Sequence, residues 1–392
     1  MMNAKAMLAI NLSFLIMMNA AYASDIPETL YVVGLPNIDS SKINLPPETI
    51  VVERAELSQF GSASLAEVLE YIPTISINQN GGRGSFNSLF LRGADPNFTQ
   101  VRIDGVAINN ATNTRGGAFD IGSINAQIIE RIEIISDASS AVYGSQALAG
   151  VINIVTRTSS TEGAIEIDSD GGGVASAFIA GENIALSVVA ERPGNIIEGS
   201  QYESDELGVK ATWQWNEINQ LQLVGRYQDY SNEAFADDSG GSLFAASNEL
   251  ENRQGEVVHF AAHYEYFAKP GDLFELNANF FSQKENRLSP AIAPGLRDPL
   301  GLPEILEQTD YTRTSVEARY SKNVNDNLRW RSAISWEQER GQQIGQLDFS
   351  LFQVPTNFDL TRTSVSATQS LEFNITEPVS YTHLTLPTIY SV

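Results

Sequence analysis

The side chains best suited to nucleophilic or metal chemistry are few in this chain of 392 residues, and they lie far apart. Cysteine is absent, and the histidines are His259, His263 and His383. Without cysteine there is neither a disulfide framework nor a thiolate metal site. On a helix, His259 and His263 would share a face and could both bind one metal ion. Their surroundings instead indicate a strand, in which both side chains point the same way, into the lumen of a barrel. No Ser/His/Asp or paired-acid arrangement has catalytic spacing, so we expect no enzymatic activity.

Carboxylates are the abundant charged group. The chain has 48 acidic and 24 basic residues, a net charge of −24, which argues against nucleic-acid binding because that requires a basic face. Acidic residues are concentrated in residues 229–252, a segment without Lys or Arg. Calcium takes oxygen ligands from such loops, so Asp229, Asp237 and Asp238 form a candidate calcium site. The alternative is a solvated acidic loop with no bound metal.

The N-terminus has the pattern of a secretory signal. Lys5 supplies the positive start, residues 7–18 are mostly apolar, and Ala21–Ala23 is a small-x-small cleavage site. The apolar run is too short to span a bilayer as a helix. We therefore predict a signal peptide over residues 1–23. An exported chain with no later apolar run of twenty residues can still enter a membrane as a β-barrel.

Residues 64–157 predict a compact α+β domain. Ser64 is a candidate N-cap with Glu67 at the third helical position, and Pro73 ends the helix. A first strand is expected at residues 49–52. Further short β-rich runs alternate with loops rich in Gly and Asn; they cover residues 88–92, 101–103, 131–135 and 150–156.

From residue 163 the pattern changes to long segments that alternate apolar and polar side chains. Leu221 and Leu223 lie on one face, for example, and Gln222 and Arg226 on the other. Short turns alternate strictly with long connections, which is typical of outer-membrane barrels. We predict about ten strands, near residues 163–169, 174–181, 184–191, 206–215, 219–230, 255–268, 273–286, 310–322, 328–340 and 361–375.

Four motifs in order resemble the plug domain of TonB-dependent outer-membrane receptors of Gram-negative bacteria. They are Leu91–Gly93, Arg102–Val106, Ile129–Glu133, and Ser140–Gly144 continuing to Gly150–Thr156. Within that family, residues 79–82 and 141–145 are most similar to the vitamin B12 (cobalamin) transporters. The resemblance implies an α+β plug domain inside a transmembrane antiparallel β-barrel. Family barrels have about 22 strands, so we expect a truncated barrel here.

The resemblance also implies a domain order and a function. We expect a signal peptide (1–23), a periplasmic segment (24–46), the plug (47–158), the N-terminal part of the barrel (159–378) and a non-native tail (379–392). The function implied is TonB-dependent import of cobalamin or a related corrinoid. A ferric-siderophore receptor is the alternative, and a surface receptor for adhesion or signalling is a second. The expected partners are TonB, a small-molecule substrate and outer-membrane lipid, but no nucleic acid.

Three groups of residues receive roles from the resemblance. An extended segment can add to a partner's sheet edge, and the TonB box is assigned to Glu28, Thr29, Leu30, Tyr31, Val32 and Val33. Substrate binding at the outward apex of the plug is assigned to Asn80, Arg83, Asn87, Asn97, Asn109, Asn110, Asn113 and Arg115. A plug–barrel latch of polar and ionic pairs is assigned to Arg92, Arg131, Glu130 and Glu133.

Overall fold

The computed structural model describes most of the chain between residues 49 and 391. The described residues are 49–61, 63–79, 87–112, 117–136, 143, 145–158, 161–169, 171–192, 194, 200–234, 249–269, 272–292, 301–325, 328–349, 351–373 and 390–391. No helix within these ranges is long and apolar enough to cross a membrane.

The N-terminal domain is built on a five-stranded mixed sheet in the order β1-β6-β7-β4-β5. Strand β4 is parallel to β7, and the other pairs are antiparallel. A separate hairpin pairs β2 with β3. The strands are β1 (Ile50–Glu53), β2 (Ile75–Gln79), β3 (Asn87–Leu91), β4 (Thr99–Ile103), β5 (Val106–Ala107), β6 (Ile129–Ile135) and β7 (Gly150–Thr156).

Two short helices, α1 (Arg54–Leu57) and α2 (Leu65–Leu69), cover this sheet. The predicted capping box is confirmed at α2: the Ser64 hydroxyl accepts from the Glu67 backbone N–H, and the Glu67 carboxylate accepts from the Ser64 N–H at 2.6 Å. These bonds satisfy backbone donors that a helix start leaves unpaired. The helix thereby presents Leu65 and Leu69, both fully buried, to the core.

A tight turn joins β4 to β5 through Asp104 and Gly105, which have φ angles of 46° and 83°. Asp-Gly with positive φ at both central residues is the type I′ signature favoured in two-residue hairpins. The turn projects the Asp104 side chain beyond the end of the sheet. Gly150 adopts a φ of 145°, and a Cβ there would lie 2.2 Å from the Ile135 carbonyl oxygen, so this tight strand crossing requires glycine.

The second part of the chain is one long antiparallel sheet whose successive strands are neighbours. All ten predicted strands are confirmed, and most extend further than predicted towards the long connections. They are β8 (Glu162–Ile167), β9 (Gly173–Ala180), β10 (Ile184–Arg192), β11 (Ser200–Asn216), β12 (Asn219–Ala234), β13 (Glu251–Lys269), β14 (Asp272–Ser289), β15 (Glu304–Asn325), β16 (Leu328–Asp348) and β18 (Phe358–Phe373). The additional short strands are β17 (Gln353–Pro355) and β19 (Tyr390–Ser391).

The sheet has two chemically different faces, as its alternation predicted. We call the face that carries the N-terminal domain the inner face and the opposite one the outer face. Along β13, odd-numbered residues such as His259 and Ala261 are buried, whereas the even-numbered Phe260 is 43% exposed. Ile334 and Trp336 on β16 are likewise exposed on the outer face. A soluble protein would bury such a surface, whereas a membrane barrel turns it to lipid.

Candidate functional site: the contact between the domain and the sheet

Buried polar groups and apolar side chains both line the contact between the N-terminal domain and the inner face of the sheet; Val224, Val257 and Phe281 of the sheet belong to the same hydrophobic cluster as the domain core. The Asp104 carboxylate at the β4–β5 turn is the central charge of this contact: it accepts from Lys210 Nζ on β11 at 2.8 Å. The two side chains are 1% and 4% exposed. Asp104 also accepts from the backbone N–H of Thr156 at 3.0 Å and from its hydroxyl. A desolvated ion pair of this kind is stable only while both partners remain.

The electrostatics of Asp104 follow from this geometry. Burial opposes ionisation, but the charge of Lys210 and the bonds from Lys210 and Thr156 outweigh it, so the pKa of Asp104 lies below its usual value. His263 on β13 reinforces the same turn, with its Nε2 3.2 Å from the Asp104 carbonyl oxygen and its Nδ1 2.8 Å from Asn277 Oδ1. The turn is therefore held through both its backbone and its side chain.

A second contact lies on the segment that precedes β6. The Ser123 carbonyl oxygen accepts from the Tyr202 hydroxyl at 3.0 Å and from Gln228 Nε2 at 2.9 Å. Asn125 Nδ2 donates to the Glu191 carboxylate at 2.9 Å. These bonds join the domain to β10, β11 and β12. Most use a neutral amide, hydroxyl or carbonyl, and such bonds contribute about 0.5–1.5 kcal/mol each because water competes for the same groups.

A third contact lies towards the ends of the strands that join the long connections. Asn110 Nδ2 donates to Gln283 Oε1 on β14 at 3.0 Å, and Asn110 Oδ1 accepts from the Thr112 backbone N–H at 2.9 Å. Arg313 on β15 donates to the Ala107 carbonyl oxygen at 3.2 Å and to Gln146 Oε1 at 3.0 Å. Gln283 lies six residues beyond Asn277 on β14, in the direction of the long connection. The loop of residues 109–112 therefore lies closer to the long connections than the Asp104 turn does.

The inner face also carries ion pairs of its own. Arg226 forms a bidentate salt bridge with the Glu206 carboxylate at 2.5 and 2.6 Å, and Arg313 forms a salt bridge with Glu339. These guanidinium groups are almost fully buried, so each requires its partner. His259 lies on the same face with 1% exposure, and neither ring nitrogen has a hydrogen-bond partner among the described residues. The predicted inward direction of His259 and His263 is confirmed.

The structure locates four of the predicted substrate-binding residues. Asn87 is buried and bonded to the Asp120 carboxylate through its backbone N–H at 3.1 Å and its amide at 3.3 Å. Asn97 is half-buried in a short 3₁₀ turn, and Asn110 makes the contact with Gln283 on β14 described above. Asn109 is placed differently from the expected exposed apex: its side chain is 0% exposed, and its amide is bonded to the Val101 N–H and to the Thr99 and Gly117 carbonyl oxygens. Predicted apex residues that lie outside the described residues are Asn80, Arg83, Asn113 and Arg115.

The Asp120 carboxylate organises the loop near Asn87. Burial raises its pKa to about 6, although bonds from Asn87 and from the Gly122 N–H, and the charge of Arg253, favour the ionised form. The raised pKa means that this loop contact gains a proton in mildly acidic solution. A half-buried carboxylate with this environment was not predictable from the sequence, because Asp120 and Asn87 are 33 residues apart.

The predicted latch residues make their described contacts inside the domain. Arg131 Nε donates to Glu133 Oε1 at 2.7 Å, and Asn153 Nδ2 donates to the other oxygen of Glu133 at 2.8 Å. Arg92 donates to the Ser136 carbonyl oxygen. Glu130, on β6, is half-buried. In the described structure, contact with the sheet is instead made by Asp104, Asn110 and Asn125, which the motifs did not single out for this role.

The other assigned segments are only partly described. The TonB-box residues 28–33 lie outside the described residues, as do Asp237 and Asp238. Asp229 is on β12 and exposed, directly opposite Asp205. Within the described ranges, no three acidic or histidine side chains converge to hold a metal ion.

Comparisons with known proteins agree with this architecture. Residues 41–151 match the family model of the TonB-dependent receptor plug domain. Over 118 residues, the chain is 41% identical to the vitamin B12 transporter BtuB of Vibrio vulnificus, covering 30% of this chain and 19% of that protein.

Solved structures resemble the whole fold. The ferric yersiniabactin uptake receptor FyuA from Yersinia pestis superposes with a TM-score of 0.67 at 15% identity, covering 88% of this chain and 60% of that one. The unliganded ferric citrate transporter FecA superposes with a TM-score of 0.66 at 15% identity, covering 93% of this chain and 62% of that one. The chain thus spans less than two thirds of each of these relatives. Residues 41–151 therefore match the plug domain of TonB-dependent receptors, and the long antiparallel sheet has the fold of part of the β-barrel in the solved receptors.

Proposed function

We propose that this protein imports cobalamin or a related corrinoid across the outer membrane of a Gram-negative bacterium in a TonB-dependent manner. The observation that carries the proposal is the 41% identity to a vitamin B12 transporter over 118 residues. Ferric-siderophore import is the second candidate, favoured by the similar folds of a ferric yersiniabactin and a ferric citrate receptor. Those structures are only 15% identical, so they support the fold and bear little on the substrate.

The polar part of the contact between plug and sheet supports a transport role, because its bonds can be exchanged for bonds to water. An apolar contact would lose its stabilisation on separation, because water cannot replace buried apolar contacts. Here Ser123, Asn125 and Asn110 are joined to the sheet mainly through polar groups. Water can take over most of these bonds at modest cost. A pull on the plug can therefore rearrange it in steps, with the buried Asp104–Lys210 pair as the step that costs most.

The expected coupling partner is TonB, bound through residues 28–33. Binding by strand addition depends on main-chain hydrogen bonds, so Val32→Pro, which removes a backbone donor, should abolish binding of the purified periplasmic part of TonB. Thr29→Ala keeps every backbone donor and serves as the control. Equal binding by both variants would contradict strand addition by this segment.

The substrate proposal is tested by calorimetric titration of the purified receptor with cobalamin and with a panel of ferric siderophores. We expect cobalamin binding that weakens about 2- to 10-fold in Asn80→Ala, as the loss of one hydrogen bond predicts. Asn183→Ala lies in an exposed turn at the opposite ends of the strands and should bind like the wild type. Siderophore binding without cobalamin binding would overturn the corrinoid proposal and leave the family assignment unaffected. Repeating the titration with calcium removed tests the proposed site at Asp229, Asp237 and Asp238.

A further inference from the structure

Tyr230 on β12 reaches across one strand of the sheet to a carboxylate on the next. It is directly opposite Gly255 on β13, and Gly255 is directly opposite Glu285 on β14. The Tyr230 hydroxyl donates to the Glu285 carboxylate at 2.6 Å. A Cβ at position 255 would lie 2.5 Å from this hydroxyl oxygen, which is closer than non-bonded atoms approach. The tyrosine can therefore cross β13 only over a glycine.

The Tyr230 hydroxyl begins a chain of hydrogen bonds that leads into the plug. Gln283 Nε2 donates to the hydroxyl oxygen at 3.3 Å, and Gln283 Oε1 accepts from Asn110 Nδ2 at 3.0 Å. Asn110 Oδ1 in turn accepts from the Thr112 backbone N–H at 2.9 Å. Tyr230 and Asn110 are 6% and 9% exposed, so water has little access to this chain of bonds.

The carboxylate at the end of the chain fixes the direction of every bond in it. An ionised carboxylate only accepts hydrogen bonds, so the Tyr230 hydroxyl donates to Glu285 and uses its oxygen to accept from Gln283. The Gln283 amide then turns its oxygen, rather than its NH₂ group, towards Asn110. Without the hydroxyl, this amide is free to rotate by half a turn and present its NH₂ group to the NH₂ group of Asn110, which would break the contact.

The same plug loop is seated against the sheet at a second point. Gln283, Tyr311 and Gly341 are directly opposite one another on β14, β15 and β16. A Cβ at position 341 would overlap Thr112 Cγ2, so the Thr112 methyl group occupies the space that the glycine leaves open. The loop of residues 109–112 is thus placed by one directional hydrogen bond and one close apolar contact.

We propose that Tyr230 is a positioning residue for substrate binding: acting through Gln283, it sets the orientation in which Asn110 meets the substrate. The Asn110 amide has a second N–H, for which the described part of the chain supplies no acceptor. This N–H is offered to a substrate that presents carbonyl oxygens, as the amides of a corrinoid do. The inference rests on the proposed function and on the expected role of Asn110 in substrate binding.

The first test removes only the hydroxyl group. Tyr230→Phe keeps the aromatic ring, and the purified receptor in detergent should bind cobalamin about 2- to 10-fold more weakly, as the loss of one hydrogen bond predicts. Exchange of the Thr112 backbone N–H, measured without substrate, should accelerate by a similar factor. The matched control is Tyr264→Phe, which also loses one hydroxyl bond, to Asn219 Oδ1 at 2.6 Å. It should change neither quantity, because Asn219 lies at a short turn, far along the strand from the plug loop.

A cross-link distinguishes positioning from direct contact and from general destabilisation. The chain has no cysteine, and a Cβ at position 341 would lie 3.8 Å from Thr112 Cβ, which is the usual separation in a disulfide. Thr112→Cys/Gly341→Cys should therefore form a disulfide that fixes the loop whatever residue 230 is. While the disulfide is intact, adding Tyr230→Phe should leave the cobalamin affinity unchanged. After reduction, the same substitution should weaken binding by the same factor as in the parent receptor.

Three results would overturn the proposal. Unchanged cobalamin affinity and unchanged Thr112 exchange in Tyr230→Phe would show that the hydroxyl does not position the loop. An equal loss of affinity in the oxidised and the reduced cysteine variants would show that Tyr230 acts on the substrate by another route. Absence of the disulfide would show that the loop does not lie against Gly341. The exchange and cross-linking measurements need no substrate, so a wild-type receptor that binds no cobalamin would count against the proposed function, separately from the positioning role.

Discussion

The buried pair between Asp104 and Lys210 should control how firmly the plug is held. Lys210→Met removes the cation but leaves the carboxylate buried at 1% exposure. Removing one partner of a buried ion pair costs about 3–5 kcal/mol, equivalent to roughly a 100- to 4,000-fold change in an equilibrium constant. Hydrogen exchange of the Asp104 backbone N–H, which donates to the Ile154 carbonyl oxygen at 2.9 Å, should accelerate by that factor.

The double variant Asp104→Asn/Lys210→Met provides the decisive comparison. It removes both charges together, so it should cost less than the sum of the single variants, and the difference measures the coupling between the two groups. Lys284→Met, an exposed lysine on the outer face, is the matched control. If Lys210→Met accelerates exchange no more than Lys284→Met, or if the single effects simply add, the reasoning is refuted.

The same pair predicts a pH dependence with a definite sign. The pKa of Asp104 is lower in the folded protein than the usual value near 4. Its contribution is therefore present above about pH 4 and is lost as the pH falls through the lowered folded-state value. Protection of the Asp104 N–H should decrease on acidification in the wild type, and this decrease should be absent in Asp104→Asn.

Three further predictions concern the loop, the plug core and the outer face. Burial raises the pKa of Asp120 to about 6, so the folded loop binds a proton more tightly than the unfolded chain and should lose stability as the pH rises from about 4 to 6. Amide exchange in this loop should show the pH dependence in the wild type, and the dependence should be absent in Asp120→Asn. Gly150→Ala should prevent correct plug folding, measured by protease resistance, because the added Cβ would lie 2.2 Å from the Ile135 carbonyl oxygen. Gly163→Ala is the control and should fold normally, because its Cβ would lie 3.5 Å from the nearest atom, the Ser176 carbonyl oxygen. Phe260 lies at the middle of β13 and Gln254 lies six residues nearer the long connection. Phe260→Lys should therefore cost about 2–4 kcal/mol in vesicle folding assays and Gln254→Lys at most about 1 kcal/mol, because the penalty falls with distance from the bilayer centre; equal costs would contradict this difference in depth.

Local features of the fold were predictable because their causes are local. The capping box at Ser64 and Glu67 depends on two side chains three residues apart. The Asp104–Gly105 hairpin depends on two residues that tolerate positive φ. The alternation of polar and apolar side chains along β13 is a property of any strand with one polar and one apolar face.

The plug–barrel contact was not predictable in the same way. Asp104 and Lys210 are 106 residues apart, and their pairing depends on the angle at which the β4–β5 turn meets β11. Asn109 was predicted to bind a ligand because loop asparagines offer donors and acceptors. In the structure its side-chain amide instead closes the loop internally, through the Val101 N–H and the Thr99 and Gly117 carbonyl oxygens.

The sequence by itself determined the plug motifs, the strand alternation and the order of short and long connections, because each arises from neighbours within a few residues. Only the tertiary structure decided which charges are paired across the plug and the barrel, and which amides form a row on the outer face. Those arrangements depend on the register between strands far apart in sequence. A shift of one residue in register would turn Gln254 to the inner face and break the row that it forms with Asn286 and Gln308.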